Sequence, residues 1–167
     1  MAAAFIELHA RYGGGINSCR TFHQVCSTFV KYLEAEQCYV DILDEAYEES
    51  SSDRDWKYIA LHIFDTKTVT IAELENLIQD PLKREIQSIS VYEDSHPQVE
   101  INPSELAASY YRPNKPDCQF IFHTESCVEI KHLPTGLTVR SESERSRHKN
   151  YANALSFLRA KLTRWPE

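Results

Sequence analysis

Long apolar runs are absent from this chain of 167 residues. No stretch approaches the roughly 20 consecutive apolar residues that a membrane-spanning helix requires, so no membrane partner is expected. Cysteine pairs at CxxC spacing are absent as well. The five cysteines (Cys19, Cys26, Cys38, Cys118 and Cys127) are odd in number and scattered, a pattern that supports neither a zinc site nor a disulfide framework. The expectation is free, mostly buried thiols in a reducing compartment, with no structural metal and no cofactor. Glycine is scarce: of 4 residues, three are Gly13-Gly14-Gly15 and the fourth is Gly136. Internal repeats and low-complexity tracts are also missing. The opening residues MAAAFIELHA carry neither a basic n-region nor an Arg/Ser-rich transit segment. A cytosolic chain is expected, or a mature form from which a presequence has been removed.

What is present is the makeup of an ordinary globular protein, with 42% apolar and 26% charged residues, enough for one domain or two small ones. The net charge of -7 is unevenly spread. Residues 1–127 carry 10 Lys/Arg against 21 Asp/Glu, whereas residues 128–167 carry 8 against 4. An acidic body with a basic end gives an anionic partner one place to dock.

Periodicity sets out the elements. Phe5, Ile6 and Leu8 predict a strand running to the glycine turn. From Asn17, the apolar stripe of Phe22, Val25, Cys26, Phe29, Val30 and Leu33 predicts a core helix. Alternation predicts strands at Tyr39–Leu43 and Trp56–Phe64, separated by an acidic, Ser-rich loop over Glu45–Asp55. A helix through Leu74, Leu77 and Ile78 should stop before Pro81. Further strands are predicted around Ile86, Ile89, Val91 and Tyr92, and over Leu106–Arg112, with the turn Asp94–Pro97 between the two halves. In the last quarter Val128, Ile130 and His132 alternate, Pro134-Thr135-Gly136 turns, and Leu137 and Val139 alternate again. A helix follows. Ser141 and Glu144 have the spacing of a capping box for its start, and Tyr151, Ala154, Leu155, Leu158 and Leu162 form its expected buried stripe. Arg145, His148 and Lys149 are expected on the opposite face.

Glu144-Arg145-Ser146-Arg147-His148-Lys149-Asn150, preceded by His132-Leu133-Pro134-Thr135-Gly136, closely resembles the peptidyl-hydrolase domain of bacterial-type class I peptide-chain release factors. Val99 to Leu106 resembles the approach to that domain. Glu7-Leu8-His9-Ala10 with the following glycines, and Val40-Asp41-Ile42-Leu43-Asp44, resemble the family's second domain, in the branch that reads UGA and UAA. The resemblance implies an α+β fold: two small α/β sandwich-like domains of mixed or antiparallel sheet with helices packed on one face. Residues 1–97 would form the codon-reading-like domain and residues 98–167 the hydrolase-like domain.

The departures are chemical. The family's Gly-Gly-Gln loop falls at Asp117-Cys118-Gln119. Glycines there permit backbone conformations barred to residues with a Cβ and a close approach to the ester, and the Gln N–H stabilises the developing oxyanion. Asp117 places negative charge where negative charge develops, so hydrolysis is expected to be lost and no catalytic residue is assigned. The codon-reading Ser-Pro-Phe falls at Asp80-Pro81-Leu82, where an acid replaces the hydroxyl and the stacking aromatic is gone. Loss of both loops resembles plant plastid release-factor-like proteins associated with protecting processed transcripts. That implies an RNA partner, a single-stranded transcript end rather than DNA, with the ribosome as the alternative partner. It also implies a chloroplast stromal location, with the cytoplasm as the alternative.

The candidate RNA-binding residues are Arg145, Arg147, His148 and Lys149, with Lys131 and Arg140 on the preceding strands. Such cations suit phosphate contacts, which supply affinity without sequence reading. Tyr110, Tyr111, Phe120 and Phe122 are candidate stacking surfaces for unpaired bases, or else strand core. Cys118 and Cys127 flank the segment after the old catalytic loop and form a candidate redox pair, with inert thiols as the alternative.

Overall fold

A computed structural model describes residues 3–11, 13, 15–64, 73, 76, 86–94, 99–113 and 125–165. The chain divides into two compact units, Met1–Glu93 and Asp94–Glu167. No helix among the described residues is long and apolar enough to cross a membrane. Of the expected helix around 70–78 the described residues are Glu73 and Asn76, both helical; the rest of it, the Asp80-Pro81-Leu82 loop and the Asp117-Cys118-Gln119 loop lie outside the described residues.

The first unit contains β1 (Ala4–Ala10), α1 (Gly15–Ala35), β2 (Tyr39–Tyr47), β3 (Trp56–Phe64) and β4 (Ile86–Glu93). They form an antiparallel sheet in the order β2-β3-β1-β4. Ile6 pairs with Leu61 and Val91, and Leu8 with Ile59 and Ile89, so alternate residues of the strands meet on one face. The predicted stripe of α1 covers that face through Phe22, Cys26, Phe29 and Leu33, with Val25 and Val30 at its margin. Each large side chain so buried contributes about 1.5–3 kcal/mol. On the other face, Phe5 stacks on His62 with centroids 4.1 Å apart, and the buried Glu7 carboxylate accepts from Tyr58 Oη (3.0 Å) and Tyr92 Oη (3.1 Å).

Local signals close α1. Gln37 N–H donates to Glu34 O and Cys38 N–H to Leu33 O, each at 3.0 Å. Gln37 sits at φ 63, the left-handed position that glycine usually fills at a helix end.

The expected loop over Glu45–Asp55 starts later than the sequence indicates. β2 continues to Tyr47, which pairs with Trp56, and shifts of register at Ile42/Asp44 and Ala46/Tyr47 break the alternation that would have revealed it. Glu45 is a strand residue whose carboxylate accepts from Trp56 Nε1 at 2.9 Å.

The second unit is a three-stranded antiparallel meander of β5 (Leu106–Tyr111), β6 (Cys127–His132) and β7 (Thr138–Ser141), covered by α2 (Arg147–Thr163). Asn102 introduces it, its Oδ1 accepting from Ser104 N at 3.1 Å. The core joins Val128, Ile130 and Val139 of the sheet to Ala154, Phe157 and Leu158 of the helix. The tight connection after β6 is held by His132 Nδ1 and Thr135 Oγ1 at 2.9 Å and by Gly136 N donating to His132 O at 2.8 Å. Gly136 has φ 74, a conformation that excludes most side chains. Thus Pro134-Thr135-Gly136 is a hairpin turn, as the sequence predicts. Together the units form an α+β protein with helices laid on antiparallel sheets.

Candidate nucleic-acid interface

The basic head of α2 starts later than its sequence suggests. Ser141 and Glu144 do not cap the helix. Ser141 is the last residue of β7, and the cap is Ser146, whose Oγ accepts from Lys149 N at 3.4 Å. Ser141 is fully buried, and its hydroxyl donates to Asn150 Oδ1 at 3.0 Å instead.

Asn150 organises the region. It is fully buried in the first turn of α2. Its Oδ1 accepts from Ser141 Oγ and from Glu144 N, both at 3.0 Å. Its Nδ2 donates to Ser126 O at 2.8 Å and Glu144 O at 2.7 Å. An amide side chain offers two lone pairs and two N–H groups, and all four are used. One side chain therefore ties Ser126 just before β6, the end of β7, the connection 142–146 and the helix into one arrangement. Because Asn150 precedes Ala154, Phe157 and Leu158 at spacings of 4, 7 and 8, it belongs to the buried stripe. The stripe is rotated relative to expectation: Phe157 joins it, while Tyr151, Leu155 and Leu162 are only partly buried.

The structure divides the candidate cations between two places. Arg147, His148 and Lys149 are exposed in the first turn of α2, while Arg145 is exposed on the connection before it and not on the helix face where it was expected. Lys131 and Arg140 project from the face of the sheet opposite α2, because β6 and β7 bury Val128, Ile130, Val139 and Ser141 against the helix. Period-2 alternation keeps the two groups apart.

Three of these cations already have carboxylate partners. Arg147 donates from Nε to Glu125 O at 3.1 Å and lies 4.0 Å from the Glu125 carboxylate. Lys149 Nζ is 3.7 Å from Glu144. Arg140 Nε meets Glu129 at 2.6 Å across the β6–β7 pair. All three pairs are partly exposed, a setting in which an ion pair contributes only about 0–1 kcal/mol. A phosphate group could displace such carboxylates at little cost.

Of the aromatic candidates, Tyr110 lies on the helix side of β5, with the Arg147 guanidinium 4.4 Å above its ring centroid. This cation–π contact fixes the guanidinium plane beside the helix start. Tyr111 Oη donates to Glu142 at 2.7 Å. Phe120 and Phe122 lie outside the described residues. Cys127 is buried at the start of β6, and its proposed partner Cys118 is outside the described residues. No metal-binding group of His, Cys, Asp or Glu occurs among the described residues.

Sequence reasoning missed Asn150 and the carboxylates facing the cations. The helical spacing of Asn150 from the apolar stripe was the available signal. The carboxylate pairings follow from strand register and helix start, which spacing alone did not settle.

Comparison with known proteins agrees with this geometry. Residues 93–167 match the RF-1 domain family. Over 69 residues the chain is 46% identical to peptide chain release factor 2 of Petrotoga mobilis, a match covering 41% of this chain and 19% of that protein. Among solved structures, RF2 of Thermus thermophilus has a TM-score of 0.74 over 97% of this chain and 49% of its own, at 22% identity. At that identity the structural likeness speaks for the fold alone. The chain spans about half the length of this solved relative. Residues 93–167 thus resemble the RF-1 domain and part of a bacterial peptide chain release factor 2 in sequence, and the chain shares a fold with half of RF2.

Proposed function

We propose that this chain is a release-factor relative that has lost peptidyl-tRNA hydrolysis and binds RNA through the head of α2, shielding the end of a transcript. The observation that carries the reading is the Asn150 lock. It holds Arg145, Arg147, His148 and Lys149 at one helix start, directly beside the strand that follows residues 114–124. Cations held in place at a helix N-terminus recognise phosphate with little loss of side-chain freedom.

The loss of hydrolysis rests on residue chemistry. Asp117-Cys118-Gln119 replaces two glycines by residues with side chains and sets a carboxylate near developing negative charge. A plastid stroma is the proposed location, with the cytoplasm as the alternative, and no cofactor or metal enters this reading.

Direct RNA binding tests the proposal. A short single-stranded RNA should bind with a log–log salt slope of about -2, which corresponds to roughly three phosphate contacts at about -0.7 each. Arg147→Ala with Lys149→Ala should reduce the affinity about tenfold or more, the loss of two charge-assisted contacts. A slope near zero would sink the reading.

The RF-1 domain match favours a second reading, docking on the ribosome without catalysis. Co-sedimentation with ribosomes but not with free RNA would select it. Peptide release from programmed ribosomes by the unmodified protein would instead overturn the non-hydrolytic assignment. Inactivity, with activity gained on Asp117→Gly and Cys118→Gly together, would support it.

A further inference from the structure

We propose that a cavity at one end of the first sheet binds a phosphate-bearing ligand of nucleotide size. The inference stands on the first unit alone and does not depend on RNA docking at α2.

The cavity has a volume of about 480 Å³, within the range of sites that take small molecules. It lies where β1 turns into α1, next to the end of β2 and the beginnings of β3 and β4. Two exposed cations line it from different elements, Arg11 just past β1 and Lys57 on β3. Glu48 is the carboxylate among the described lining residues. Among those described residues, Arg11 and Lys57 give the wall two cations against one carboxylate, a setting that suits an anion, and the exposed His9 ring lies on the same wall. The first turn of α1 contributes in the same sense, with no acidic residue in it.

The rest of the wall suits a base. The His9 and Tyr58 rings lie 4.6 Å apart, tilted by 45°, and both line the cavity. Tyr58 Oη is committed to Glu7 at 3.0 Å. Burial, reinforced by the Glu7 charge, pushes the Tyr58 pKa up and keeps the hydroxyl a donor. The ring is thereby fixed in place, and a fixed aromatic face is a stacking platform that accepts any base. Glu48 supplies the complementary polar edge. Its carboxylate already accepts from Ser50 Oγ at 2.9 Å and from the Cys19 thiol at 3.9 Å, and a carboxylate held in this way can accept from base N–H groups. Gln87 and Ser88 complete the polar side from β4.

A phosphate paired with a base can come from a free mononucleotide or from the phosphorylated end of an RNA. The test is titration calorimetry on the full chain with guanosine and adenosine 5′-monophosphates, the matching nucleosides, and 5′-phosphorylated and 5′-hydroxyl oligoribonucleotides. A monophosphate should bind at least about tenfold more tightly than its nucleoside, and Arg11→Ala with Lys57→Ala should remove that difference, as expected for loss of charge-assisted contacts. Both replaced side chains are exposed, so an unchanged circular-dichroism melt certifies the fold. Glu48→Gln serves as the second variant and should change the ratio of guanosine to adenosine monophosphate affinity. Competition by the phosphorylated oligonucleotide alone assigns the site to an RNA end, and competition by neither assigns it to a free nucleotide. Equal affinity for nucleoside and monophosphate, or binding unaffected by the double variant, overturns the proposal. RNA binding with a normal salt slope can survive that failure, which keeps the α2 reading separately testable.

Discussion

Replacing Asn150 by alanine removes four hydrogen bonds at once and leaves Ser126 O, Glu144 O, Glu144 N and Ser141 Oγ without that partner. A buried polar group left unsatisfied costs about 1–3 kcal/mol. Ser141 is fully buried and Ser126 nearly so, whereas the half-buried Glu144 is open to replacement water. The expected loss is therefore about 3–4 kcal/mol, dominated by the Ser126 and Ser141 groups. For a unit of this size, each kcal/mol moves Tm by about 4–8 °C, so a fall of roughly 12–30 °C is expected. Asn150→Asp sharpens the test, because its shape is preserved while both donors become an oxygen facing two carbonyls. Such a carboxyl has a raised folded pKa. Its protonated form donates one hydrogen bond, so stability is highest below the unfolded pKa of about 3.9 and falls as pH rises through the folded value. Amide exchange in β6 and α2, read beside thermal melts at pH 4 and pH 7 of the wild type and both variants, locates the effect. A loss below about 1 kcal/mol for the alanine variant would place Asn150 among ordinary single hydrogen bonds and refute the lock. So would an aspartate variant whose deficit relative to wild type does not grow between the two pH values.

Glu144→Gln should tighten single-stranded RNA binding about two- to fivefold, because it removes the carboxylate 3.7 Å from Lys149 and gains no more than a surface ion pair is worth; a filter-binding isotherm that weakens instead would oppose phosphate docking there. Gln37→Gly should raise stability by about 0.5–1 kcal/mol in urea melts, since it relieves a left-handed residue at φ 63 and gives back part of the gain as glycine's unfolded-state entropy; a loss of stability would show that the Gln37 side chain contributes more than the strain it carries. Burial pushes the Cys26 thiol up to about 12 from an ordinary value near 9. Its contribution to stability is full below pH 9 and is lost between pH 9 and pH 12, at about 1.4 kcal/mol per pH unit. Urea melts at pH 8 and pH 10 should therefore fall more steeply for wild type than for Cys26→Val, and equal slopes would contradict the assigned burial.

Elements with a single apolar face were legible from the sequence. The α1 stripe assigns one side of the helix to the core, and nothing in that stretch competes with the signal. β3 was legible as a strand, but its residues 59–63 are buried on both faces, which alternation alone does not show. Legibility failed where a side chain served a partner distant in sequence. Ser141 and Glu144 have capping-box spacing, but the Ser141 hydroxyl is taken by Asn150, 9 residues on, so helix formation waits for Ser146. Glu45 looks like loop chemistry until Trp56 is placed beside it by strand pairing. The candidate site was half legible. The residue types at the head of α2 were correctly singled out as exposed cations, but pattern alone could not show which carboxylates face them. The separation of Lys131 and Arg140 from the helix follows from alternation, and applying that rule to the basic residues as well as the apolar ones would have found it.

The carboxylate partners change what the basic end means electrostatically. Of the 8 Lys/Arg in residues 128–167, Arg159, Lys161 and Arg164 lie toward the far end of α2 or just past it. At about 1.5 Å per residue, Arg159 is already some 18 Å along the axis from Arg147, beyond the roughly 8 Å screening length at physiological salt. At the head itself, Glu125 and Glu144 stand against Arg147 and Lys149, so two of the four basic side chains there face a carboxylate. The long-range field there is weak, so RNA would be held by short-range exchange of carboxylate for phosphate more than by steering. Association should accordingly show an ordinary rate with little salt dependence, while dissociation carries most of the salt effect. Stopped-flow measurements at two ionic strengths distinguish the cases. A steep salt dependence of the association rate would mean that the carboxylates do not screen the helix head, and that the acid–base pairs are not maintained in solution.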